Sequence, residues 1–238
     1  MEFILDNPEV EREFQSIIRA IPAMQNGQTV ESMKRMGLNY ERNWGVSIVD
    51  LKLFASKVAK NHLLALKLWN KKWRETQILA TLLEEPQKSS EEQIDFWVKT
   101  AEHIEIVEQC AFNVMPYTPF AFAKSMEWLL SKKQNVKIAG LLTMGRLAMT
   151  DRNAIDEMFE PYFELLLPLS KDKALTQYIY RTYCQLARRS RTIHTQCLAL
   201  LQTMQTSNSE TAQALANELH SELTSNFYND DSIFISKE

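Results

Sequence analysis

The sequence predicts an all-α protein, and three observations support this prediction. The chain holds only 5 Gly and 7 Pro among 238 residues, so long stretches consist of Leu, Ala, Met, Lys, Glu and Gln, which lose little on entering a helix. No run alternates apolar and polar residues, with β-branched enrichment, for long enough to indicate a sheet. Apolar residues instead recur at helical spacing between recognisable helix starts.

Four helix starts are marked by residues that cap the first backbone N–H groups. At three of them a serine is followed three residues later by an acid or an amide, which is the capping-box pattern. At the fourth, a threonine cap precedes a proline in the first helical position. The four pairs are Ser47 with Asp50, Ser90 with Gln93, Thr118 with Pro119, and Ser207 with Glu210.

These starts and the apolar periodicity together predict a succession of short-linked helices. The predicted helices cover roughly residues 8–21, 28–36, 48–59, 61–70, 72–84, 90–101, 104–115, 119–131, 134–150, 155–167, 171–189, 192–205 and 209–226. Helix pairs recur about every 30 to 45 residues, which is typical of an α-solenoid of HEAT-like or armadillo-like repeats. A compact helical bundle is the alternative, because periodicity does not separate the two.

The helical pattern ends near residue 226. We therefore expect one HEAT-like repeat domain over residues 1–226 and an irregular tail over residues 227–238. The aromatic and aliphatic side chains of this tail are expected to dock it on the helices. They are Phe227, Tyr228, Ile233 and Phe234.

Charge is unevenly distributed along a chain whose net charge is −3. Residues 132–191 hold eleven basic and six acidic residues, whereas residues 192–238 hold six acids and one Lys. A basic stretch between acidic ends favours a surface for polyanions, although a solvated helical face would give the same counts.

Several classes of protein are disfavoured. Cys110, Cys184 and Cys197 form no CxxC pair, and neither a signal peptide nor a stretch of about 20 apolar residues is present, so we expect a cytoplasmic protein that does not span a membrane. The sequence lacks a Gly-rich phosphate loop, HExxH and GxSxG, and its four histidines lie far apart. We therefore predict no metal site and no cofactor.

Several segments carry a resemblance to a known family. They are GVS and DLK at residues 45–52, ALKLW at 65–69, ILATLLEEP at 78–86 and WV at 97–98, followed by the stretch from TPFAFAKSMEWLL onward. Over roughly residues 45–190 the chain resembles the DNA alkylation repair family of the AlkD type, as a divergent member.

The resemblance implies a fold and an activity. It implies a curved solenoid whose positively charged concave face holds duplex DNA. Catalytic members are glycosylases that release purines alkylated at N3 or N7. In such a reaction a carboxylate stabilises the oxocarbenium-like sugar, and aromatic rings hold the cationic base.

The family's active helix corresponds to HIEIVEQC, residues 103–110. The matching carboxylates are Glu105 and Glu108, which the resemblance makes the candidate catalytic residues, but Ile104 replaces a tryptophan. A second family tryptophan falls at Arg181, and an arginine falls at Ile138, where the adjacent Lys137 could partly replace it. Each glutamate is one methylene longer than the family's aspartate, and a displacement of about an ångström can cost on the order of a hundredfold in rate. The sequence thus leaves base excision open.

A simpler interpretation of the same segment needs no function. Glu102, Glu105 and Glu108 recur every three residues and could form a solvated acidic stripe along one helix. The structure is needed to decide between an active site and a helix edge.

Three basic clusters could contact phosphates if stacked repeats bring them to one face. The candidate DNA-binding residues are Lys71, Lys72, Arg74, Lys137, Arg146, Arg181, Arg188 and Arg189. They predict non-specific binding of double-stranded DNA through its phosphates. The alternative is a protein-interaction scaffold that holds a partner in its concave groove.

Overall fold

The computed structural model describes residues 7–235, and these residues contain α-helices and 3₁₀ turns without a β-strand. The prediction of an all-α protein is therefore confirmed. Residues 1–6 of the predicted repeat domain and residues 236–238 of the predicted tail lie outside the described residues. The chain divides into two compact units, whose described parts are residues 7–118 and 119–235.

The first unit contains seven α-helices within its described residues. They are α1 (Pro8–Ala20), α2 (Gly27–Arg35), α3 (Ile48–Ala55), α4 (His62–Asn70), α5 (Arg74–Leu83), α6 (Glu91–Thr100) and α7 (Ile104–Asn113). Helix α5 packs against α4, its neighbour in sequence, and also against α3 and α7. Helices α3, α5 and α7 thus form one layer, which is the arrangement expected of stacked helix pairs.

The second unit repeats this arrangement with six described α-helices. They are α8 (Ala121–Leu129), α9 (Gln134–Thr150), α10 (Glu160–Leu169), α11 (Thr176–Ala187), α12 (Arg191–Gln205) and α13 (Glu210–Leu223). The pairs α8–α9 and α12–α13 are packed neighbours, and α11 packs against both α9 and α13. Helices α9, α11 and α13 form the layer of this unit.

Two of the four predicted helix starts are confirmed and two are wrong. The hydroxyls of Ser47 and Ser90 accept the predicted backbone N–H groups at α3 and α6. Thr118 does not begin α8, because its buried hydroxyl donates to the Met115 carbonyl at the end of a 3₁₀ turn. Helix α13 is capped by Ser209, whereas the Ser207 hydroxyl donates back to the Met204 carbonyl of α12.

Close packing of α8 on α9 depends on a glycine. A Cβ atom built on Gly140 would lie 2.7 Å from the backbone carbonyl oxygen of Ser125. Such an approach is possible only without a side chain, so Gly140 sets the distance between these two helices.

The segment after residue 225 consists of two short 3₁₀ turns, Asn226–Asn229 and Asp231–Ile233. The side chains of Tyr228 and Phe234 are buried, Ile233 is half-buried and Phe227 is exposed. Two of the four side chains proposed for docking, Tyr228 and Phe234, are therefore buried in the second unit, where both lie against His194.

Candidate nucleic-acid interface

Glu105, the first candidate catalytic residue, is held by two side chains from other parts of the first unit. Its carboxylate receives two hydrogen bonds from the Arg74 guanidinium, at 2.7 Å from Nε and 2.6 Å from Nη2. The Tyr40 hydroxyl donates a third, at 2.6 Å. Both oxygens of Glu105 are thus occupied by donors of the protein itself.

Arg74 extends this ion pair into the core. Its side chain is only 2% exposed, and Nη1 donates to the Val46 carbonyl at 2.8 Å and to the Glu75 carboxylate at 3.0 Å. Glu75 is fully buried and accepts the backbone N–H groups of Trp44 and Val46. The network therefore fastens the segment before α3 to the start of α5 and to α7.

The network changes the pKa values of Glu105 and Tyr40. Burial alone would raise the pKa of Glu105, but the hydrogen bonds and positive charge of Arg74, with the Tyr40 bond, outweigh it and lower that pKa. Burial, followed by the negative charge of Glu105, raises the pKa of Tyr40. Glu105 is therefore ionised and Tyr40 is a neutral donor at neutral pH.

Glu108, the second candidate carboxylate, lies one turn further along α7 and is half-buried. Between the two glutamates, Ile106 and Val107 are buried in the core. Glu102 is exposed before the helix begins. The three glutamates thus differ in environment, so HIEIVEQC is not a uniform solvated stripe.

The turn between α4 and α5 presents two of the candidate DNA-binding residues to solvent. Lys71 and Lys72 are exposed, and the Lys71 ammonium lies 4.9 Å from the Trp73 ring centroid. The Arg42 guanidinium lies 5.1 Å from the Trp44 ring centroid and 5.7 Å from that of Trp73. Cations and tryptophans thus share this surface, whereas Arg74, two residues after Lys72, is withdrawn into the core.

In the second unit the candidate basic residues differ in exposure. Lys137 and Arg146 on α9 are half-buried, Arg181 on α11 is exposed, and Arg188 at the end of α11 is half-buried. Arg181 and Arg188 are seven residues apart and therefore lie on the same side of α11. Ile138, where the resemblance leads us to expect an arginine, is fully buried.

Arg189 has no exposed surface. Its guanidinium donates to the carbonyls of Asp151 and Ala154 and lies 5.1 Å from the Phe159 ring centroid. It joins the end of α11 to the α9–α10 connection. Such a group cannot reach a phosphate unless that connection opens.

The C-terminal tail covers part of the same basic region. Phe227 lies 5.5 Å below the Arg188 guanidinium, and the Ile235 backbone N–H donates to the Arg188 carbonyl. Arg191 pairs with Asp231 and donates to the Tyr228 carbonyl. The tail therefore lies against the cations at the α11–α12 connection.

Sequence reasoning missed Tyr40, Arg42 and Trp44, which the structure places beside the predicted residues. A signal was present, because NYERNWG at residues 39–45 combines aromatic and charged residues just ahead of a helix cap. Gly45 there has φ +70°, which glycine adopts readily.

Residues 7–235 contain no group of three or more His, Cys, Asp or Glu side chains that could hold a metal ion. None of their helices is long and apolar enough to cross a membrane.

Comparisons with known proteins identify a matching family and a solved structure with a similar fold. A family model described as DNA alkylation repair enzyme matches residues 17–173. A solved structure, described as a new family of proteins related to the HEAT-like repeat DNA glycosylases with affinity for branched DNA structures, matches with a TM-score of 0.69. It shares 17% identity, and the match covers 88% of this chain and 94% of that chain. No curated protein matches the sequence significantly. The likeness confirms the predicted HEAT-like repeat fold.

Proposed function

The chain belongs to the family of DNA alkylation repair enzymes, and on that premise we propose that it binds double-stranded DNA without excising alkylated bases. The observation that carries this proposal is the position of Glu105 between Arg74 and Tyr40. A carboxylate whose two oxygens already receive three hydrogen bonds has its charge compensated inside the protein. It offers little stabilisation to a developing oxocarbenium ion.

The residues around the candidate carboxylates support the absence of excision. Ile104 and Arg181 stand where the family resemblance leads us to expect the two tryptophans that hold a cationic base. A half-exposed isoleucine supplies no aromatic face, and an exposed guanidinium repels a positively charged purine. The recognition of an alkylated base therefore lacks its two main contributors.

DNA binding is supported by cations that are fully or partly exposed. In the first unit, Lys71 and Arg42 lie beside Trp73, and Lys72 is exposed in the same turn as Lys71. In the second unit, we assign phosphate contacts to Lys137, Arg146, Arg181 and Arg188. Lysine and arginine contacts with phosphates provide most of the affinity for DNA and carry no sequence preference. We leave Arg74 and Arg189 out of this set, because their guanidinium groups are buried against carbonyls and carboxylates.

Branched DNA is the first substrate to compare with linear duplex, because the solved structural neighbour is described as having affinity for it. A protein partner is the competing function, and it would use the same accessible side chains. The cytoplasmic location stays a prediction.

The decisive experiment measures two activities of the purified full chain. The first is release of methylated purines from alkylated duplex DNA, by the wild type and by Glu108→Gln. The second is binding of fluorescent linear duplex and four-way junction DNA. We expect micromolar or tighter binding, with purine release at the spontaneous rate for both proteins. Release that exceeds this rate and collapses in Glu108→Gln would replace the proposal with glycosylase activity. A lack of binding to either DNA would favour the protein scaffold.

A further inference from the structure

A cavity of about 560 Å³ opens in the first unit among the ends of α4 and α6, the start of α5 and the segment before α7. Its volume falls within the range of about 300–1,000 Å³ that small-molecule sites usually have. Neither Glu105 nor Glu108 lines it. It therefore adjoins the carboxylates that the family resemblance singles out but does not include them.

The walls of the cavity are aromatic and held in place. Tyr40, Trp69, Phe96 and His103 all contribute to its lining. Trp69 is stacked on Trp97, with ring centroids 4.4 Å apart and planes inclined by 5°. The Tyr40 and His103 rings lie 4.0 Å apart. Aromatic faces in fixed positions are the feature on which nucleobases stack, whichever base is present.

Glu105 has a role at this site. Its carboxylate accepts the Tyr40 hydroxyl, so the ion pair with Arg74 fixes the orientation of a ring that lines the cavity. Glu105 is thus a positioning residue for the wall, which accounts for its place in the core network.

Polar residues also line the cavity. Asn70 and Gln77 are among them, and an amide can both donate to and accept from a nucleobase edge. Charges of both signs occur at the lining, from Lys72 and Lys99 and from Glu41 and Glu102. Because these charges offset one another, the cavity suits a neutral planar ring better than a bare polyanion.

Lys72 is the left-handed residue that ends α4. It has φ 58°, and its backbone N–H donates to the Trp69 carbonyl just after the C-cap Lys71, a position that glycine often takes. Lys72 also contributes to the lining of the cavity. An ammonium here could hold the phosphate next to an inserted base.

We propose that the cavity receives one unpaired nucleobase of bound DNA, stacked between Tyr40 and Phe96 and followed by a phosphate on Lys72. This inference rests on the proposed DNA binding and adds the structural class of DNA: duplex that carries an extrahelical nucleotide.

The test compares a fully paired duplex with one that carries a single 2-aminopurine bulge. We expect the wild type to bind the bulged duplex about tenfold more tightly, as one base–aromatic stack provides, and to quench the emission of the bulged base. Phe96→Ala should bind both duplexes equally and leave the emission bright. Circular dichroism would verify that this variant is folded.

Two neighbouring lysines provide a matched pair of variants. Lys72→Gly removes the ammonium and relieves the backbone, so it should retain or raise thermal stability while it lowers the preference for the bulge. Lys71→Ala removes the same charge from a residue outside the cavity lining, and it should weaken binding to both duplexes by the same factor. Equal loss of preference in the two variants would contradict the placement of the phosphate on Lys72.

The remaining outcomes separate this inference from the proposed function. Tight binding of both duplexes with equal affinity and unchanged emission would overturn the cavity assignment and leave DNA binding intact. If neither duplex binds, a titration with deoxyadenosine monophosphate, followed by tryptophan fluorescence, decides the matter. Binding lost in Phe96→Ala would keep the cavity as a nucleotide site, and no binding would overturn it.

Discussion

Arg74 is the residue around which the first unit is organised, since it satisfies groups from three separate segments. Its guanidinium contacts Glu75 on its own helix, Glu105 on α7 and the Val46 carbonyl. The five N–H donors of arginine form a planar fork, which lysine could not replace. A buried guanidinium of this kind is stable only while its acceptors remain in place.

Replacement of Glu105 by glutamine should therefore destabilise the protein in a pH-dependent way. At pH 7 we expect a loss of about 3 kcal/mol, the lower end of the range for breaking a buried pair, because an amide can still accept one hydrogen bond. The folded state lowers the pKa of Glu105, so the wild-type contribution is present above the ordinary value of about 4.3 and is lost as the pH falls through the folded value.

Urea unfolding at pH 7 and near pH 3 measures this effect. The deficit of Glu105→Gln should be large at pH 7 and shrink at the lower pH, because below the ordinary pKa of a glutamate the protonation of the unfolded chain removes part of the wild-type advantage. Glu41→Gln, which changes an exposed carboxylate of the same unit beside Tyr40, should match the wild type at both. A deficit that is the same at both pH values would contradict the assignment to the Glu105 charge.

Helix packing is the principal constraint at the scale of elements. Helices α8 and α9 approach so closely at Gly140 that a Cβ atom there would overlap the Ser125 carbonyl. Local helix propensity favours alanine over glycine by about 1 kcal/mol. Helix propensity thus favours alanine at position 140, whereas the packing of α8 on α9 disfavours it. In a densely packed interior, the packing effect on stability is the larger of the two.

Gly140→Ala should accordingly lower stability by about 1–3 kcal/mol, the usual cost of an overpacked core position. Gly27→Ala is the matched control, because no atom lies within 4 Å of the Cβ that would be added at the start of α2. The thermal unfolding midpoint should fall for the first variant and stay level or rise slightly for the second. A rise for Gly140→Ala would show that α8 and α9 separate without cost.

At the scale of the whole molecule, the distribution of charge decides whether the protein can bind DNA. The net charge of −3 does not by itself favour DNA, so binding depends on where accessible cations collect. The α4–α5 turn offers two adjacent lysines beside a tryptophan, and such contacts release counterions when they bind phosphates.

Salt dependence provides the test at this scale. In the logarithmic plot of DNA affinity against salt concentration, the double variant Lys71→Ala/Lys72→Ala should reduce the slope by about 2, since each phosphate contact contributes about 0.9. Lys57→Ala/Lys60→Ala removes the same charge from the α3–α4 connection, where both residues are exposed. An equal change in slope from both double variants would indicate a diffuse effect of net charge instead of contacts at the turn.

The sequence by itself determined the helical class, most helix positions and the family. These features depend on local patterns, since a Ser cap or an apolar period acts within one or two turns. Ser47 and Ser90 act as caps in the structure for this reason. Thr118 and Ser207 do not, because nearby carbonyls compete for their hydroxyls.

Only the tertiary structure decided which charged residues remain accessible. Lys71, Lys72 and Arg74 are neighbours in sequence, yet the first two are exposed and the third is buried against Glu105, 31 residues away. Arg189 is likewise buried by carbonyls 35 and 38 residues earlier. A guanidinium is buried or exposed according to the acceptors that folding brings to it. Those acceptors come from distant segments, so no local pattern in the sequence specifies them.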